Sequence, residues 1–444
     1  MTYEESIKYI HDTAAFGSKL GLDNIRTLMS ILGNPQDELK IIHIAGTNGK
    51  GSTAAYMLSV FEEAGYRTGF YTSPELYRFS ERIRINEDEI SDEDTAYYAT
   101  KIREAAEYMA ESNLGNPSEF ELVLAMAFCY FYDKAVDAVI LEVGLGGRLD
   151  ATNVISRSLL SVITKISYDH MQYLGDTLSQ IAGEKAAIIK PQGRVIVYPA
   201  EKDVINVFEN RCREQQAELY VAELPSQGTA SLTEGQTFFM SDKTYTTKMA
   251  GLYEINNAAL AIQAIGLIRK NFLRISDEDI YEGISKASWP GRFEILKHDP
   301  LIIADGAHNE DGAEALSDTL TKYFGEKKVS LCLGILKDKE YAKMLSHLLP
   351  HADHVIVCDV PNPRSLTAYE LAEVIHEKEP NVTTFICHTA REAYERVQEE
   401  KNNAAAFIIC GSLYLVGSMR ALYLSRRLRK ASRNPLSAGT LLRS

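Results

Sequence analysis

Residues 43–52, HIAGTNGKGS, have the side chains and the spacing best suited to binding a phosphate group. They follow an apolar strand-like run and precede a helical pattern, so a helix N-terminus would direct its N–H groups at an anion. Lys50 can reach the outer phosphates of a nucleotide, and Ser52 can serve a metal ion or a phosphate oxygen. The usual phosphate loop is spelled differently, because Ile44 stands at its first glycine and Gly51 separates the lysine from the serine. We predict phosphate binding; the alternative is a glycine-rich turn with an exposed lysine.

Polar residues also lie at or beyond the ends of other predicted strands. Ser73 comes after one of them, Glu142 lies within DAVILEVG, and His170 follows LSVITKI. A buried carboxylate is costly unless it is paired or bound to a metal, and the carboxyl ends of parallel strands meet at one edge of a sheet. We therefore predict that Glu142 and His170 share a site with the phosphate loop. Each also has a plainer interpretation, an internal ion pair for Glu142 and a helix cap or core histidine for His170.

The remaining candidates have weaker local patterns. The lysines of GEKAAIIK (183–190) are predicted to be surface residues of a helix. In the second half, IIADGAHN places Asp305, His308 and Asn309 at a strand-to-helix turn, where ligands often bind; a helix cap with an incidental histidine is the alternative. Arg292, in WPGRFE, can meet a nucleotide or form a salt bridge at a domain boundary.

The elements that must position these residues alternate between strand-like and helical patterns, which predicts an α/β protein with parallel sheets. Segment 224–250 is rich in Thr, Ser and turn residues, which predicts antiparallel hairpins. Prolines and a glycine at 288–300 interrupt the periodicity and mark a domain boundary. We expect an N-terminal domain (1–292), a C-terminal domain (293–430) and a basic, disordered tail (431–444).

Composition excludes several classes of function. The 444-residue chain has a net charge of −14, which argues against nonspecific binding to nucleic acid or to an anionic membrane. No apolar run is long enough to span a membrane, and the N-terminus does not resemble a signal peptide. The six cysteines have no CxxC spacing, which favours buried thiols in a reducing cytoplasm.

The motifs, taken in their order along the chain, resemble those of a known enzyme family. HIAGTNGKGS, SPEL, EVGLGGRLDATN, DHMQYLG, EKAAIIK, NNAALA, PGRFE, DGAHN and CGSLYLVG closely resemble the folylpolyglutamate synthase/dihydrofolate synthase family, a branch of the ATP-dependent Mur-type amide ligases. The resemblance runs from about residue 3 to 424. It implies a P-loop ATPase domain with a mostly parallel sheet and a small antiparallel sheet, a Rossmann-like second domain, and an active site in the cleft. ATP would phosphorylate a substrate carboxylate, and the amine of L-glutamate would then displace phosphate to form an amide.

The same resemblance implies roles for particular residues. The implied ATP-binding residues are Gly46, Thr47, Asn48, Gly49, Lys50, Gly51, Ser52, Asn257, Arg292 and Asp305. The implied ligands of Mg²⁺, expected as two ions, are Ser73, Glu142 and His170. The implied folate- or pteroate-binding residues are Phe120, Glu121, Leu149 and Asp150. Lys50 and His308 are implied catalytic residues, together with Lys185, which matches a lysine that such enzymes carbamylate.

The sequence departs from the family pattern at three places. Glu75 stands where a His is frequent, Tyr253–Glu254 where His-Gln is common, and Glu310 where a Pro is frequent. We expect none of them to touch the metal or phosphate positions. Because Glu75 lies near the expected pterin side, it leaves substrate preference open.

Several functions remain alternatives. The chain is predicted to add L-glutamate to dihydropteroate, to reduced folates, or to both; folylpolyglutamate synthesis alone is one alternative. A Mur-type ligase acting on a cell-wall nucleotide is less expected, because only 42 residues precede HIAGTNGKGS. A nucleotide-binding regulator without activity is disfavoured, because Lys50, Glu142 and His170 are present. We expect a cytoplasmic monomer whose partners are small molecules, not nucleic acid or membrane.

Overall fold

The computed structural model describes residues 1–13, 21–400 and 404–433. The chain divides into two compact units. The first contains Met1–Thr229, Gly235–Lys248 and Glu254–Ser288, and the second contains Ala230–Glu234, Met249–Tyr253 and the chain from Trp289 onwards. Among the described residues, no helix is both long and apolar enough to cross a membrane.

The first unit is built on an eight-stranded sheet in the order β4-β3-β2-β5-β1-β6-β7-β8. Its strands are β1 (Ile41–Ala45), β2 (Thr68–Tyr71), β3 (Ile83–Ile85), β4 (Asp88–Glu89), β5 (Ala138–Glu142), β6 (Leu160–Ile163), β7 (Arg194–Val197) and β8 (Glu218–Val221). All neighbours from β2 to β8 pair in parallel, whereas β3 and β4 extend one edge in antiparallel pairing. Every residue of β1, β5 and β6 is buried, as expected for parallel strands that are covered on both faces.

Helices connect and cover these strands. They are α1 (Tyr3–Asp12), α2 (Asp23–Ile31), α3 (Lys50–Glu63), α4 (Asp92–Glu111), α5 (Glu119–Asp133), α6 (Met171–Leu174), α7 (Leu178–Ala186), α8 (Lys202–Gln215), α9 (Glu254–Ile268) and α10 (Asp277–Lys286). One apolar core joins α1, α2, α4 and α5 to the sheet, and another joins α7 and α8 to it.

A small separate sheet has the order β11-β10-β9 and consists of β9 (Ser226–Ser231), β10 (Gly235–Met240) and β11 (Lys243–Thr247). β10 and β11 pair antiparallel, which confirms the hairpin predicted within 224–250.

The second unit contains a six-stranded sheet in the order β12-β13-β17-β14-β15-β16. Its strands are β12 (Glu294–His298), β13 (Leu301–Ala304), β14 (Val329–Leu333), β15 (Ala352–Cys358), β16 (Thr383–Cys387) and β17 (Phe407–Cys410). Its helices are α11 (Glu310–Phe324), α12 (Tyr341–Leu348), α13 (Ala368–Lys378), α14 (Ala390–Glu399) and α15 (Leu413–Arg433). The sheet is parallel except for β12, which pairs antiparallel with β13.

The predicted α/β fold class is therefore confirmed, including the mostly parallel sheets and the small antiparallel one. The six cysteines are all buried and free, as expected. α15 ends at Arg433, and the rest of the predicted tail, from 434 onwards, lies outside the described residues.

Candidate active site

The carboxyl ends of four neighbouring parallel strands hold the predicted phosphate and metal residues. In the sheet, β2, β5, β1 and β6 lie side by side. Ser73 follows β2, Glu142 is the last residue of β5, the phosphate loop follows β1, and His170 comes after β6. Glu142 is in register with Ile44, just before the loop begins. The topology thus brings these chain segments to one edge of the sheet, where α/β proteins bind ligands.

The phosphate loop is a tight turn held by the segment that follows β6. Gly46 and Gly49 have φ values of +154° and +86°, which side chains with a Cβ rarely adopt. The Thr47 N–H donates to the Lys165 carbonyl (2.9 Å), and the Thr164 hydroxyl donates to the Asn48 carbonyl (2.7 Å). α3 begins at Lys50, directly after Gly49, and no side chain caps it. A helix N-terminus of this kind directs N–H groups and its positive end at the loop.

We expect Gly46→Ala to destabilise the protein by about 2–4 kcal/mol. A Cβ on Gly46 would lie 1.7 Å from the Thr164 hydroxyl oxygen, at a backbone angle that alanine disfavours. Chemical denaturation measures the loss. Gly266→Ala is the matched control, because a Cβ at that exposed position in α9 meets nothing within 4 Å. Equal stability of the two variants would contradict the constraint on the loop.

Lys185 lies beneath the phosphate loop and contacts its backbone. The prediction that it is a surface residue is therefore wrong. Its side chain is only 4% exposed, and its amine donates to the Gly46 carbonyl at 2.9 Å. Burial, followed by the positive charge of Lys50, lowers the pKa of Lys185 to about 7. The Lys50 amine approaches the same carbonyl at 3.2 Å. The sequence of α7 alone does not indicate that Lys185 is buried, because the burial comes from the packing of α7 against β1 and β6.

The second lysine of that segment, Lys190, differs in its surroundings. It is half-buried, and its amine donates to the carbonyls of Asn153 and Ile155 and to the Asn153 side chain. Burial lowers its pKa to about 8. These contacts link the segment that follows α7 to the turn that follows Asp150, which is a structural role.

The predicted metal ligands provide a carboxylate, a hydroxyl and an imidazole. Glu142 is buried, Ser73 is half-buried, and His170 is a third exposed. His170 has φ +50°, and its N–H donates to the side chain of Asp169 at 2.8 Å. Within the described residues, no group of three or more His, Cys, Asp or Glu side chains is placed to hold a metal ion.

The predicted folate residues lie around the turn after β5, but two of them have structural duties. Asp150 is buried and accepts from the N–H groups of Leu145 (2.9 Å) and Thr152 (3.0 Å); burial nevertheless raises its pKa. Glu121 caps α5 by accepting from Ser118.

Phe120 and Leu149 offer apolar surface instead. The Phe120 ring lies so close to Gly144 that a Cβ there would be 2.9 Å from it, and 3.2 Å from a carboxylate oxygen of Asp150. Leu149 is 42% exposed. The structure thus brings Phe120 and Asp150 together at the EVGLGG turn, with Leu149 on the surface of the same turn.

In the second unit, Asp305 is the centre of a hydrogen-bonded group. Its carboxylate accepts from the Tyr253 hydroxyl, the Phe293 N–H (3.0 Å) and the Ala307 N–H (2.8 Å). Burial raises its pKa, while Tyr253 and Arg292 act in the opposite direction. The guanidinium of Arg292 lies against Gly306, where a Cβ would be 1.8 Å from it.

His308 and Asn309 occupy the turn that follows. The Nδ1 of His308 is 2.7 Å from the Gly306 carbonyl oxygen. Asn309 caps α11 by accepting from the Gly312 N–H, so the helix-cap interpretation is correct for this residue.

Glu254 is a neighbour of the phosphate loop that the sequence did not predict. This residue of α9 is fully buried, and its carboxylate accepts from the Ser52 hydroxyl (2.8 Å) and from the Asn257 amide (3.1 Å). Asn257 in turn lies against Gly49, where a Cβ would be 2.4 Å from its amide oxygen. The expectation that no departure touches a phosphate position is therefore wrong for Glu254. The sequence gives no sign of this contact, because Glu254 and Ser52 are 202 positions apart and come together only in the folded chain.

The other two departures form ion pairs. Glu75 pairs with Arg82, which also contacts Glu119 at 3.2 Å. Glu310 pairs with Lys343 at 2.9 Å.

Comparison with known proteins places the chain among ligases. Two family models match it: "Mur ligase middle domain" over residues 44–265 and "Mur ligase, glutamate ligase domain" over 291–413. The dihydrofolate synthase/folylpolyglutamate synthase of Bacillus subtilis is 36% identical, with 94% of this chain and 98% of the relative covered. The Escherichia coli protein of the same name is 30% identical, with 95% of each covered.

Solved structures of folylpolyglutamate synthases are also similar to this chain. The folylpolyglutamate synthase of Thermotoga maritima superposes with a TM-score of 0.82 at 35% identity, covering 96% of this chain and 97% of that one. The Mycobacterium tuberculosis folylpolyglutamate synthase, complexed with ADP and AMPPCP, has a TM-score of 0.85 at 30% identity, covering 95% and 99%. Escherichia coli FolC, complexed with DHPP and ADP, has a TM-score of 0.83 at 28% identity, covering 96% and 99%.

Proposed function

The chain belongs to the dihydrofolate synthase/folylpolyglutamate synthase family of Mur ligases, and from this premise we propose how its residues carry out the family's reaction. It is an ATP-dependent ligase that joins L-glutamate to a carboxylate of dihydropteroate, of a folate, or of both. The observation that supports this best is local. The phosphate loop, the buried Glu142 and the buried Lys185 all lie at the carboxyl ends of β1, β5 and their neighbours.

The phosphate loop binds the phosphates of ATP in this proposal. The first turn of α3 offers N–H groups, and Lys50 adds a positive charge that moves from the Gly46 carbonyl to the phosphates. Transfer of the γ-phosphoryl group to a carboxylate brings two anions together, so catalysis depends on neutralising charge and on alignment. Attack of the glutamate amine on the acyl phosphate then forms the amide and releases phosphate.

Mg²⁺ fits the side chains at this edge. It prefers oxygen ligands and usually binds through one or two carboxylates together with phosphate oxygens and water. Glu142 would supply a buried carboxylate, Ser73 a hydroxyl and His170 an imidazole. A bound Mg²⁺ supplies charge neutralisation to the transferred phosphoryl group. The number of ions, expected to be two, is part of the same proposal.

Lys185 is placed for carbamylation. Its neutral amine can attack CO₂ to form an N–C bond and release one proton, and a pKa near 7 keeps much of the amine neutral at physiological pH. The product is an anion, so the repulsion between Lys185 and Lys50 at the Gly46 carbonyl becomes an attraction. Burial thus keeps the reacting amine neutral, and the charge of Lys50 stabilises the anionic product.

We expect activity to depend on bicarbonate below neutral pH. As pH falls below 7 the Lys185 amine becomes protonated and cannot react, and carbamate formation itself releases a proton, so at a fixed, low CO₂ concentration the carbamate fraction drops by up to about a hundredfold per pH unit. Activity with and without bicarbonate at pH 6, 7 and 8 measures this, and ¹³C-bicarbonate NMR detects the carbamate. Lys185→Arg should lack the signal, whereas Lys190→Arg should keep it. A wild-type protein with no carbamate signal and bicarbonate-independent activity would contradict the proposal.

The remaining predicted residues are assigned to substrates. We place the pteridine ring against Phe120 and Leu149, with Asp150 and Glu121 holding the turn and helix that present them. Asn257, next to the phosphate loop, contacts the nucleotide. In the second unit, the nucleotide is assigned to Arg292 and Asp305, and the catalytic role of His308 rests on its place in the DGAHN turn.

The experiment that tests the function is ADP release by purified protein with ATP, Mg²⁺ and L-glutamate. Dihydropteroate and tetrahydrofolate are offered separately, and product masses are read afterwards. Turnover with both supports both reactions, and turnover with tetrahydrofolate alone restricts the chain to folylpolyglutamate synthesis. If neither substrate is turned over by a protein that binds ATP, the result would point to a Mur-type ligase that acts on another carboxylate.

A further inference from the structure

Glu254 places a carboxylate directly behind the first turn of α3. One of its oxygens accepts from the Ser52 hydroxyl at 2.8 Å, and the other accepts from the Asn257 amide at 3.1 Å. Its side chain is fully buried, so these contacts lie away from solvent. The carboxyl group is therefore held one side chain away from the phosphate loop.

The hydrogen bonds decide how Ser52 can act. A serine hydroxyl has one proton, and an ionised carboxylate can only accept. Because the Ser52 hydroxyl donates its hydrogen bond to Glu254, the serine oxygen can only accept from, or coordinate, a further partner. An acceptor oxygen suits a cation, whereas a phosphate oxygen requires a donor.

An amide at this position would act differently. A glutamine is neutral and has one accepting and one donating end. If its NH₂ group faced Ser52, the serine proton would be free to point at a phosphate. In this chain Ser52 meets an accepting oxygen of Glu254 instead, so the serine proton is used in that hydrogen bond.

We propose that Glu254 is a positioning residue that makes Ser52 a cation ligand, so that nucleotide binding by this chain is coupled tightly to a divalent cation. The inference rests on the proposed function, because it assumes that the loop binds the nucleotide. It concerns binding, and it can be tested without catalysis. The coupling is the factor by which Mg²⁺ strengthens ADP binding, and it is reciprocal between the two ligands.

The test is calorimetric titration of the full-length protein with ADP, with and without Mg²⁺. We expect Glu254→Gln to lower the coupling factor about tenfold, within the usual range for linked sites. Mn²⁺ binding to the ADP complex, followed by electron paramagnetic resonance, should weaken in parallel. Glu63→Gln is the control, because Glu63 is at the opposite end of α3 and pairs with Lys286. An unchanged coupling factor in Glu254→Gln would overturn the inference.

Ser52→Ala provides an independent test if Glu254→Gln does not fold. Loss of a cation ligand should lower the coupling factor, whereas loss of a phosphate donor should weaken ADP binding equally with and without Mg²⁺. In a folded double variant, Glu254→Gln should add no further loss to Ser52→Ala. A uniform weakening by Ser52→Ala, or additive losses, would overturn the inference and leave the proposed function intact. Wild-type protein that binds no ADP would overturn both.

Discussion

Replacing Lys50 with alanine is expected to reduce turnover about a thousandfold while leaving the fold intact. The amine of Lys50 lies over the phosphate loop, 3.2 Å from the Gly46 carbonyl oxygen and 3.1 Å from that of Thr47. In the proposed reaction it neutralises charge on the phosphoryl group during transfer. Alanine keeps the start of α3, because it has the highest helix propensity and removes only the charged stem. Steady-state ADP release with saturating substrates measures the effect.

Lys202→Ala is the matched control for this variant. Lys202 is the first residue of α8, as Lys50 is of α3, but it is exposed and distant from the loop in sequence. We expect its replacement to leave both turnover and thermal unfolding close to wild type. If Lys50→Ala retained full activity and normal unfolding, Lys50 would have no part in phosphoryl transfer.

The elements of the fold that the sequence predicted correctly are those with strong local patterns. KIIHIA, DAVILEVG, LSVITKI and RVIVY became β1, β5, β6 and β7, because short β-rich runs that are buried on both faces have few other stable arrangements. The phosphate loop was predictable for a related reason, since its glycines follow a strand and precede a helix. The edge strands β3, β4 and β12 were not predicted, because pairing with the rest of the sheet stabilises them and no strong local pattern marks them.

The two site residues that local patterns missed are set by tertiary contacts. Lys185 has the sequence surroundings of an ordinary helix surface, and only its position beneath Gly46 makes it buried and lowers its pKa. Glu254 reaches Ser52 across 202 residues of chain. The burial and pKa of a charged residue at this site therefore depend on which helix packs against the phosphate loop. The residues that surround it in the sequence do not reveal this.

The charge balance at the loop also explains how an acidic chain can bind an acidic substrate. The net charge of −14 disfavours anions in general. At the phosphate loop, however, the Lys50 amine lies 3.2 Å from the Gly46 carbonyl oxygen, and the positive end of α3 points the same way. A lysine charge and a helix N-terminus directed at one loop favour binding of an anion there, whatever the net charge of the chain.

Glu142→Gln is expected to lower activity about a hundredfold at low Mg²⁺, with partial recovery at high Mg²⁺. The substitution keeps the size and hydrogen-bonding reach of the side chain and removes only its charge. A buried carboxylate that binds a cation loses that affinity when it becomes an amide, whereas a purely structural one loses only local stability. A Mg²⁺ titration of ADP release separates the two, because only the first raises the concentration of Mg²⁺ required for half-maximal rate.

Glu89→Gln serves as the control for that titration, because Glu89 lies on β4 at the edge of the same sheet and accepts from Ser80. We expect it to leave the Mg²⁺ requirement unchanged. Glu142→Gln with a wild-type rate at low Mg²⁺ would show that the carboxylate at the end of β5 is structural, and the metal would then have to be bound elsewhere along this edge. A raised Mg²⁺ requirement in Glu142→Gln alone would instead assign the cation to the strand end that lies in register with Ile44, two residues before the first glycine of the phosphate loop.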